Sequence, residues 1–167
     1  KDQSVGKCHC ASDGKVLVTF FRQPQEKNFA HVLVHETAHG FLHRYRAPVS
    51  IASWLNEGLA DTIASEMVPG QDDWDYAYKQ APANLRKAGS LGMGFFTSRQ
   101  IEGDQYPYAC LMTRWLIRSN AKLYVQLINS VKDGVSVEES LKRVYRTDYA
   151  GLAAAFGQSL GIRNLRP

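Results

Sequence analysis

Two short segments decide the fold of this chain of 167 residues: HETAH at 35–39 and NEGLAD at 56–61. On a helix with 3.6 residues per turn, His35 and His39 lie one turn apart on the same face. Two imidazoles placed in this way can bind one zinc ion. Glu36, beside the first of them, is positioned to act on a metal-activated water. The first segment therefore predicts a zinc site with its own general base.

A third protein ligand is needed, because catalytic zinc keeps three protein ligands and one open position. Glu57 is the candidate, since it follows His39 by 18 positions, which is enough for a helix, a turn and an antiparallel second helix. The alternative is a helix whose two histidines are solvated or satisfied in the core. With five His and seven Glu, an accidental His-Glu-x-x-His is expected in fewer than about one such chain in a hundred.

The order of the two segments, with Trp54 just before the second, resembles the zinc helices of the gluzincin metallopeptidases. This clan contains thermolysin-like and aminopeptidase-like enzymes, and the chain is similar in particular to small bacterial peptidase MA-like domains. The resemblance is strong over about thirty residues and loose over most of the chain. It implies an α+β, mainly α, zincin-like metallopeptidase domain with a small N-terminal strand region. It also implies one zinc ion held by His35, His39 and Glu57.

The same resemblance assigns roles to further side chains. Asp61 matches the aspartate that holds a zinc-bound histidine by its free ring nitrogen, and Asn56 is expected to hold the other histidine. The segment 106–116 resembles the helix start that carries the transition-state tyrosine, which places Tyr106 in that role and leaves Tyr108 as the alternative. A solvated carboxylate at Asp61 and an ordinary packed tyrosine at Tyr106 are the competing interpretations.

The implied reaction is hydrolysis of a peptide bond. Glu36 takes a proton from the metal-activated water and passes it to the leaving amine, while zinc and Tyr106 stabilise the oxyanion. The sequence lacks the Gly-x-Met-Glu-Asn segment of the aminopeptidases, which favours an endopeptidase or an anchor outside this chain. Two rival functions stay open: a catalytically silent zincin-like module that binds zinc, and a metal-free helical interaction domain. Glu36 argues against the silent module, because a structural zinc site needs no general base.

Composition predicts a single domain over residues 1–167, because 44% hydrophobic residues can form one core. No apolar run approaches 18 residues, so we expect no membrane span. The net charge of +4 is scattered, which gives little support to nucleic-acid binding. The partner that the resemblance implies is a peptide or protein substrate. The chain begins at Lys1 without a signal-peptide pattern. We interpret it as a processed protein or a fragment, and slightly favour a secreted or periplasmic location over a cytoplasmic one.

The cysteines give a weaker indication. Cys8-His9-Cys10 looks like half of a metal knuckle, but such a zinc site needs two pairs, and Cys110 is the other thiol of the chain. Cys8 could pair with Cys110, or all three could be free, so the redox compartment stays open. We predict a structural or incidental role rather than metal binding.

Secondary-structure signals indicate which of these motifs lie on helices, strands or loops. One strand is predicted at 16–22, ended by Pro24, and the resemblance suggests that it borders the cleft and pairs with extended substrate. An ordinary core strand is an equal alternative. Residues 70–103 are predicted to form a loop with a flexible part at 89–94. The predicted helices run over 28–45 (capped by Asn28), 53–68 (capped by Ser53), onward from Asp104, 121–132 (begun by Asn120), 136–145 (capping box of Ser136 and Glu139) and 149–160 (capped by Thr147 or Asp148).

His31 and His43 continue the four-residue spacing of the zinc pair. A helix face drifts by about 40° for each step of four residues, so four histidines cannot converge on one ion. We expect His31 and His43 to be packing or surface residues.

Overall fold

A computed structural model describes residues 6–20, 28–70 and 72–167. Within these ranges the chain forms a two-stranded sheet followed by helices, which confirms the α+β, mainly α class. None of these helices is both long and apolar enough to cross a membrane. The elements are β1 (Gly6–Cys10), β2 (Val16–Phe20), α1 (Phe29–Arg44), α2 (Ser53–Met67), α3 (Asp72–Ala88), α4 (Tyr106–Lys132), α5 (Val137–Tyr145) and α6 (Tyr149–Ser159).

The two strands form an antiparallel hairpin in which Cys8 lies opposite Val18 and Cys10 opposite Val16. Gly14 in the connecting turn has a φ of +82°, a conformation that glycine adopts at little cost. β2 confirms residues 16–20 of the predicted strand, while 21–27 lie outside the described residues. β1 was missed, because Gly-Lys-Cys-His-Cys contains no β-branched or aromatic residue.

The hairpin packs on α1 through two glycines. A Cβ at Gly6 would lie 2.6 Å from Val32 Cγ1 and 2.9 Å from Glu36 Cγ. A Cβ at Gly40 would lie 2.8 Å from Val16 Cγ1. Because these contacts are shorter than real side chains tolerate, the close approach of the sheet to α1 depends on glycine at both positions.

The main core lies around α2 and α4, and α2 also packs against α1. Gly58 allows α2 and α4 to approach each other closely. A Cβ at this position would overlap Thr113 Oγ1 and lie 2.5 Å from the carbonyl oxygen of Ala109. The largest fully buried apolar side chains of this core are Trp54, Leu55, Leu85, Leu91, Phe95, Met112, Leu116, Leu127, Leu141, Leu152 and Phe156. The segment that begins with Trp54 is therefore held rigidly by the core.

The loop predicted for residues 70–103 is wrong over Asp72–Ala88, which form helix α3. Tyr78, Ala81 and Leu85 recur at helical spacing and are buried, so this face gains enough from burial to form a helix despite Pro82 in its interior. The acidic and aromatic residues at its start suggested a solvated loop, and tertiary packing outweighed that local signal.

Residues 89–103 are largely irregular, as predicted, but part of this connection is packed into the core. Leu91, Phe95 and Phe96 are buried. The backbone N–H of Leu91 donates to the carbonyl of Arg166 at 3.0 Å, and the N–H of Arg166 donates to the carbonyl of Gly89 at 3.1 Å. The C-terminal segment thus anchors this connection.

Three predicted N-caps are confirmed. Asn120, Ser136 and Asp148 each accept a hydrogen bond from the backbone N–H three residues further on, at 3.1, 3.2 and 2.8 Å. Asp148 rather than Thr147 caps α6. The backbone of Asn120 is non-helical, with φ −164° and ψ 94°, so α4 has a break at the position where a new helix was predicted.

Two other predicted caps are confirmed only in part or not at all. Asn28 is the N-cap residue of α1, as predicted, but its side chain makes no capping hydrogen bond to that helix. Ala52, not Ser53, is the N-cap of α2. The Ser53 hydroxyl instead accepts a hydrogen bond from the backbone N–H of Ile101 at 3.2 Å, because Ser53 is buried against that segment.

A Cys8–Cys110 disulfide is not formed, and all three cysteines are free. Cys110 is buried on α4, with its Sγ 3.7 Å from the hydroxyl of Thr62. Cys8 lies on β1, whose register with β2 directs it toward α1.

Candidate metal centre

Helix α1 places His35 and His39 one turn apart, and their Nε2 atoms are 2.9 Å from each other. The rings meet edge to face, with their centroids 4.5 Å apart. Both side chains are largely buried, so few water molecules can reach these nitrogens. The two ring nitrogens point in the same direction and lie close together, so they can be two ligands of one ion.

Glu57 of α2 supplies the third candidate ligand atom. Its Oε2 atom lies 3.3 Å from Nε2 of His35 and 3.3 Å from Nε2 of His39. Tetrahedral zinc ligands at 2.0–2.2 Å from the ion are separated by about 3.3–3.6 Å. Both distances from Glu57 match this separation, whereas the 2.9 Å between the two Nε2 atoms is shorter. All three donor atoms lie within 4.8 Å of one another and could hold one divalent cation.

Asp61 lies one turn after Glu57 and is completely buried. Its Oδ1 atom is 2.7 Å from Nδ1 of His35, on the side of the ring opposite the three donor atoms. A carboxylate in this position fixes which ring nitrogen carries the proton and leaves Nε2 available to an ion. The structure therefore brings Asp61 together with His35, as the sequence predicted.

The charges of these groups depend on one another. Burial disfavours the charged form of His35, but its hydrogen bonds to Asp61 and Glu57 outweigh burial and raise the pKa of His35 to about 10. Burial likewise opposes the charge of Glu57, but hydrogen bonds from His35 and His39 lower the pKa of Glu57 to about 2. An imidazolium at His35 would thus be paired with the carboxylates of Asp61 and Glu57.

A cavity of about 740 Å³ opens beside the three donor atoms. Glu36 and Tyr106 both line it, as do Gln100 from the 89–103 connection and β1 from the sheet. Gly6 of β1 lies against the side chain of Glu36 and leaves space for it. The general-base candidate and the tyrosine candidate thus face the same space as the donor atoms.

Tyr106 keeps its proton at neutral pH. Burial is the main cause that raises the pKa of Tyr106 to about 12, and the nearby charges of Glu57, Asp61 and Glu36 add to the shift. A neutral phenol in this place can donate a hydrogen bond into the cavity. Tyr108 is buried in the core instead, so the geometry favours Tyr106 over that alternative.

Asn56 lines the cavity, but the described structure does not place it on a histidine. The Nδ1 atom of His39 is buried and has no hydrogen-bond partner among residues 6–20, 28–70 and 72–167. The role predicted for Asn56 stays a prediction. His31 and His43 are both buried, as expected of packing residues, and Nε2 of His43 lies 2.8 Å from the carbonyl oxygen of Ala11.

The strand beside the cavity is β1, not the predicted strand at 16–22. Gly6, Lys7, Cys8 and Cys10 line the cavity, whereas no residue of β2 (Val16–Phe20) does among those described. The hairpin places β2 on the far side of β1. Sequence reasoning could have found β1 from its spacing to Val16–Phe20 across the Ser-Asp-Gly turn, which is typical of a hairpin.

A buried polar group behind Asp61 was also missed. The Tyr78 side chain is buried. Burial raises the pKa of Tyr78 well above its usual range, and the nearby charge of Asp61 contributes. Because Tyr78 lies on α3, the segment predicted as loop, its position near Asp61 could not be inferred from sequence.

A second cavity of about 1050 Å³ lies on the opposite side of α1, between α1, α2 and α4. Its lining is apolar, and Arg44 is the charged residue among the described residues that line it. In the described part of the chain, His35, His39 and Glu57 are the group of donors that converge for a metal. The first cavity is therefore the candidate functional site.

Comparison of the chain with family models, curated proteins and solved structures finds no match.

Proposed function

We propose that this chain is a zinc-dependent peptidase of the gluzincin type with a zincin-like fold. The observation that carries the proposal is the convergence of Nε2 of His35, Nε2 of His39 and Oε2 of Glu57 within 4.8 Å, in a cavity that Glu36 also lines. Three ligands with an adjoining open cavity are typical of a catalytic zinc site, whereas structural zinc sites are closed by a fourth protein ligand.

A bound zinc ion would supply Lewis-acid chemistry, polarising water and the substrate carbonyl. Asp61 holds His35 by its Nδ1 atom, so that Nε2 faces the ion. Glu36 accepts the proton of the attacking water and then gives it to the nitrogen of the leaving amine. Tyr106 donates a hydrogen bond to the carbonyl oxygen as that oxygen gains negative charge, which is when the bond is strongest.

The charges that line the cavity support endopeptidase action. Among the described lining residues the carboxylates are Glu36 and Glu57, and both are used by the proposed chemistry. A peptidase that removes single amino-terminal residues needs a further carboxylate for the free ammonium group. We therefore propose cleavage within a peptide or protein chain.

Elemental analysis of the purified chain tests the metal. We expect about one zinc per chain, peptide hydrolysis that a chelator abolishes and zinc restores, and loss of zinc in Glu57→Gln. Glu66→Gln is a matched control, because Glu66 is an exposed glutamate on the same helix. A chain that binds no metal would be the helical interaction domain instead.

Comparing Glu36→Gln with the unaltered chain on a mixed peptide library tests catalysis. We expect Glu36→Gln to retain zinc and to lose at least about 10²-fold in turnover, the usual contribution of a general base. Equal product from both proteins, with zinc present, would reject the proposed peptidase activity, and zinc binding without any product would identify the silent module.

A further inference from the structure

Cys8 and Cys10 form a thiol pair on the wall of the candidate active site. Residues two apart on a strand point to the same face, and the two Sγ atoms are 3.6 Å apart. Both thiols are free, and both line the cavity that contains His39 and Glu36. The proposed hydrolysis uses neither of them.

The two thiols differ in their surroundings. Cys8 is half-buried over α1, where a Cβ at Gly40 would lie 3.9 Å from its Sγ. Burial, with Cys10 and Glu36 contributing, raises the pKa of the Cys8 thiol to about 12. Cys10 is exposed and lies close enough to Lys132 for their charges to interact. Cys10 is therefore the thiol that an oxidant in solution meets first.

Lys132 itself is fixed in place. Its ammonium group is buried and donates to the carbonyl oxygens of His43 at 2.9 Å and Val49 at 2.7 Å. A cation held in this way stays near Cys10 whatever the state of the thiol. The thiolate form of a cysteine is the form that reacts with disulfides.

Strand geometry determines how stable a bond between these thiols would be. The rise of about 3.2–3.4 Å per residue separates Cα atoms two apart by about 6.4–6.8 Å. Disulfides span Cα separations of about 4.4–6.8 Å, so this pair lies at the upper limit. A disulfide between these two cysteines can form while the strand stays continuous, but it distorts the strand and is easily reduced.

We propose that Cys8 and Cys10 form a reversible disulfide with a low-molecular-weight disulfide as the oxidant, and that this bond lowers the activity of the adjoining site. The Cys10 thiolate attacks one sulfur of the small disulfide, which releases one small thiolate and leaves a mixed disulfide. The Cys8 sulfur then gives up its proton, attacks the Cys10 sulfur and releases the second small thiolate. The two protons of the protein dithiol leave with the two small thiols, so the protein is oxidised by two electrons and the small disulfide is reduced.

The loss of activity rests on the proposed peptidase function. Drawing the two sulfurs from 3.6 Å to about 2.0 Å pulls together two residues of β1 that pair with Val18 and Val16 of β2. Gly6 of the same strand lies against Glu36, so a distorted β1 moves the wall beside the general base. Small displacements of a catalytic group cost about 10²-fold in rate.

Incubation with excess oxidised glutathione, followed by peptide mapping under mass spectrometry, tests the bond. We expect the intact chain to lose two hydrogen atoms, and Cys8 and Cys10 to resist alkylation until a reductant is added. Cys110→Ser, a control at a buried thiol on α4, is expected to behave like the unaltered chain. Cys8→Ser and Cys10→Ser must not lose the two hydrogens. Glutathione that remains attached to Cys10 in the unaltered chain, or a chain with unchanged mass, would overturn the proposal.

The same samples are assayed on the peptide library. We expect the oxidised chain to be at least about tenfold slower and to recover with reductant, while the double variant Cys8→Ser with Cys10→Ser is insensitive to the oxidant. Full activity in the oxidised chain would refute the regulatory part. If the reduced chain hydrolyses nothing, the proposed peptidase function fails, whereas the mass measurement still decides on the disulfide.

Discussion

The Nδ1 atom of His35 lies 2.7 Å from Oδ1 of Asp61, a carboxylate with no solvent exposure. This contact joins α1 to α2 and orients the imidazole, so that Nε2 points at Glu57 and His39. A buried carboxylate needs such a partner, because an unpaired charge in the core is strongly unfavourable. The relationship therefore links the packing of the two helices to the orientation of His35 in the proposed zinc site.

Asp61→Asn tests this link. An amide keeps the size of the side chain but removes the charge that holds the imidazole proton, so we expect zinc affinity to fall about 10–100-fold. Competition with a chromophoric chelator measures the change. Glu66→Gln, which alters an exposed carboxylate of α2, should leave the affinity unchanged, and an equal loss in both variants would contradict a specific role for Asp61.

Tyr106→Phe tests the hydrogen bond to the oxyanion. Removing one such donor usually costs about 10²–10³-fold in kcat, and we expect that loss without a change in zinc content. Tyr108→Phe is the comparison, because Tyr108 lies on the same helix turn but is buried in the core. If the two variants were equally active, Tyr106 would be an ordinary packed tyrosine.

Gly58→Ala tests whether the contact between α2 and α4 positions the site. Alanine in place of glycine favours a helix by about 0.5–1 kcal/mol, but the new methyl would overlap Thr113 and meet the carbonyl oxygen of Ala109. Overpacking costs about 1–3 kcal/mol, so the clash should dominate. We expect a lower free energy of unfolding by urea denaturation and weaker zinc binding, because Glu57 and Asp61 lie on the displaced helix.

Gly103→Ala provides the control for that experiment, since a Cβ at Gly103 would meet nothing within 4 Å. Its zinc affinity should equal that of the unaltered chain. A Gly58→Ala protein that is less stable but binds zinc with full affinity would separate the packing contact from the site.

The pH dependence of stability tests the ion pair in the metal-free chain. The pKa of His35 is raised from 6.5 to about 10, so its stabilisation is complete below pH 6.5 and is lost as the pH rises through about 10. The pKa of Glu57 is lowered from 4.5 to about 2, so its stabilisation is complete above pH 4.5 and is lost as the pH falls through about 2. Both contributions are fully present between pH 4.5 and 6.5.

Urea unfolding in the presence of a chelator, measured across this range and above it, checks the prediction. The unaltered chain should lose stability above pH 6.5 relative to His35→Gln, which lacks the titrating ring. Parallel pH profiles for the two proteins would show that His35 carries no such shift.

Sequence predicted the helical class, the bounds of α1 and α2 to within one residue, and the caps at Asn120, Ser136 and Asp148. It failed at α3, where burial of Tyr78, Ala81 and Leu85 outweighs Pro82 and the polar start of the helix. It also failed at β1, whose residues have low strand propensity and which forms because β2 lies beside it. The error at α3 arises because long-range packing supplies free energy that local patterns do not contain. The error at β1 is different, because the hairpin spacing across the Ser-Asp-Gly turn indicated that strand.

The sequence by itself determined that His35 lies one turn from His39 and that Glu57 lies one turn from Asp61, because helical periodicity depends only on neighbouring residues. Tertiary structure alone decided that these two pairs face each other, that Asp61 reaches Nδ1 of His35, and that a strand with two thiols forms the wall beside them. These contacts depend on how closely α1, α2 and the sheet approach one another. The absence of a side chain at Gly6 and Gly40 sets the distance between the sheet and α1, and its absence at Gly58 sets the distance between α2 and α4.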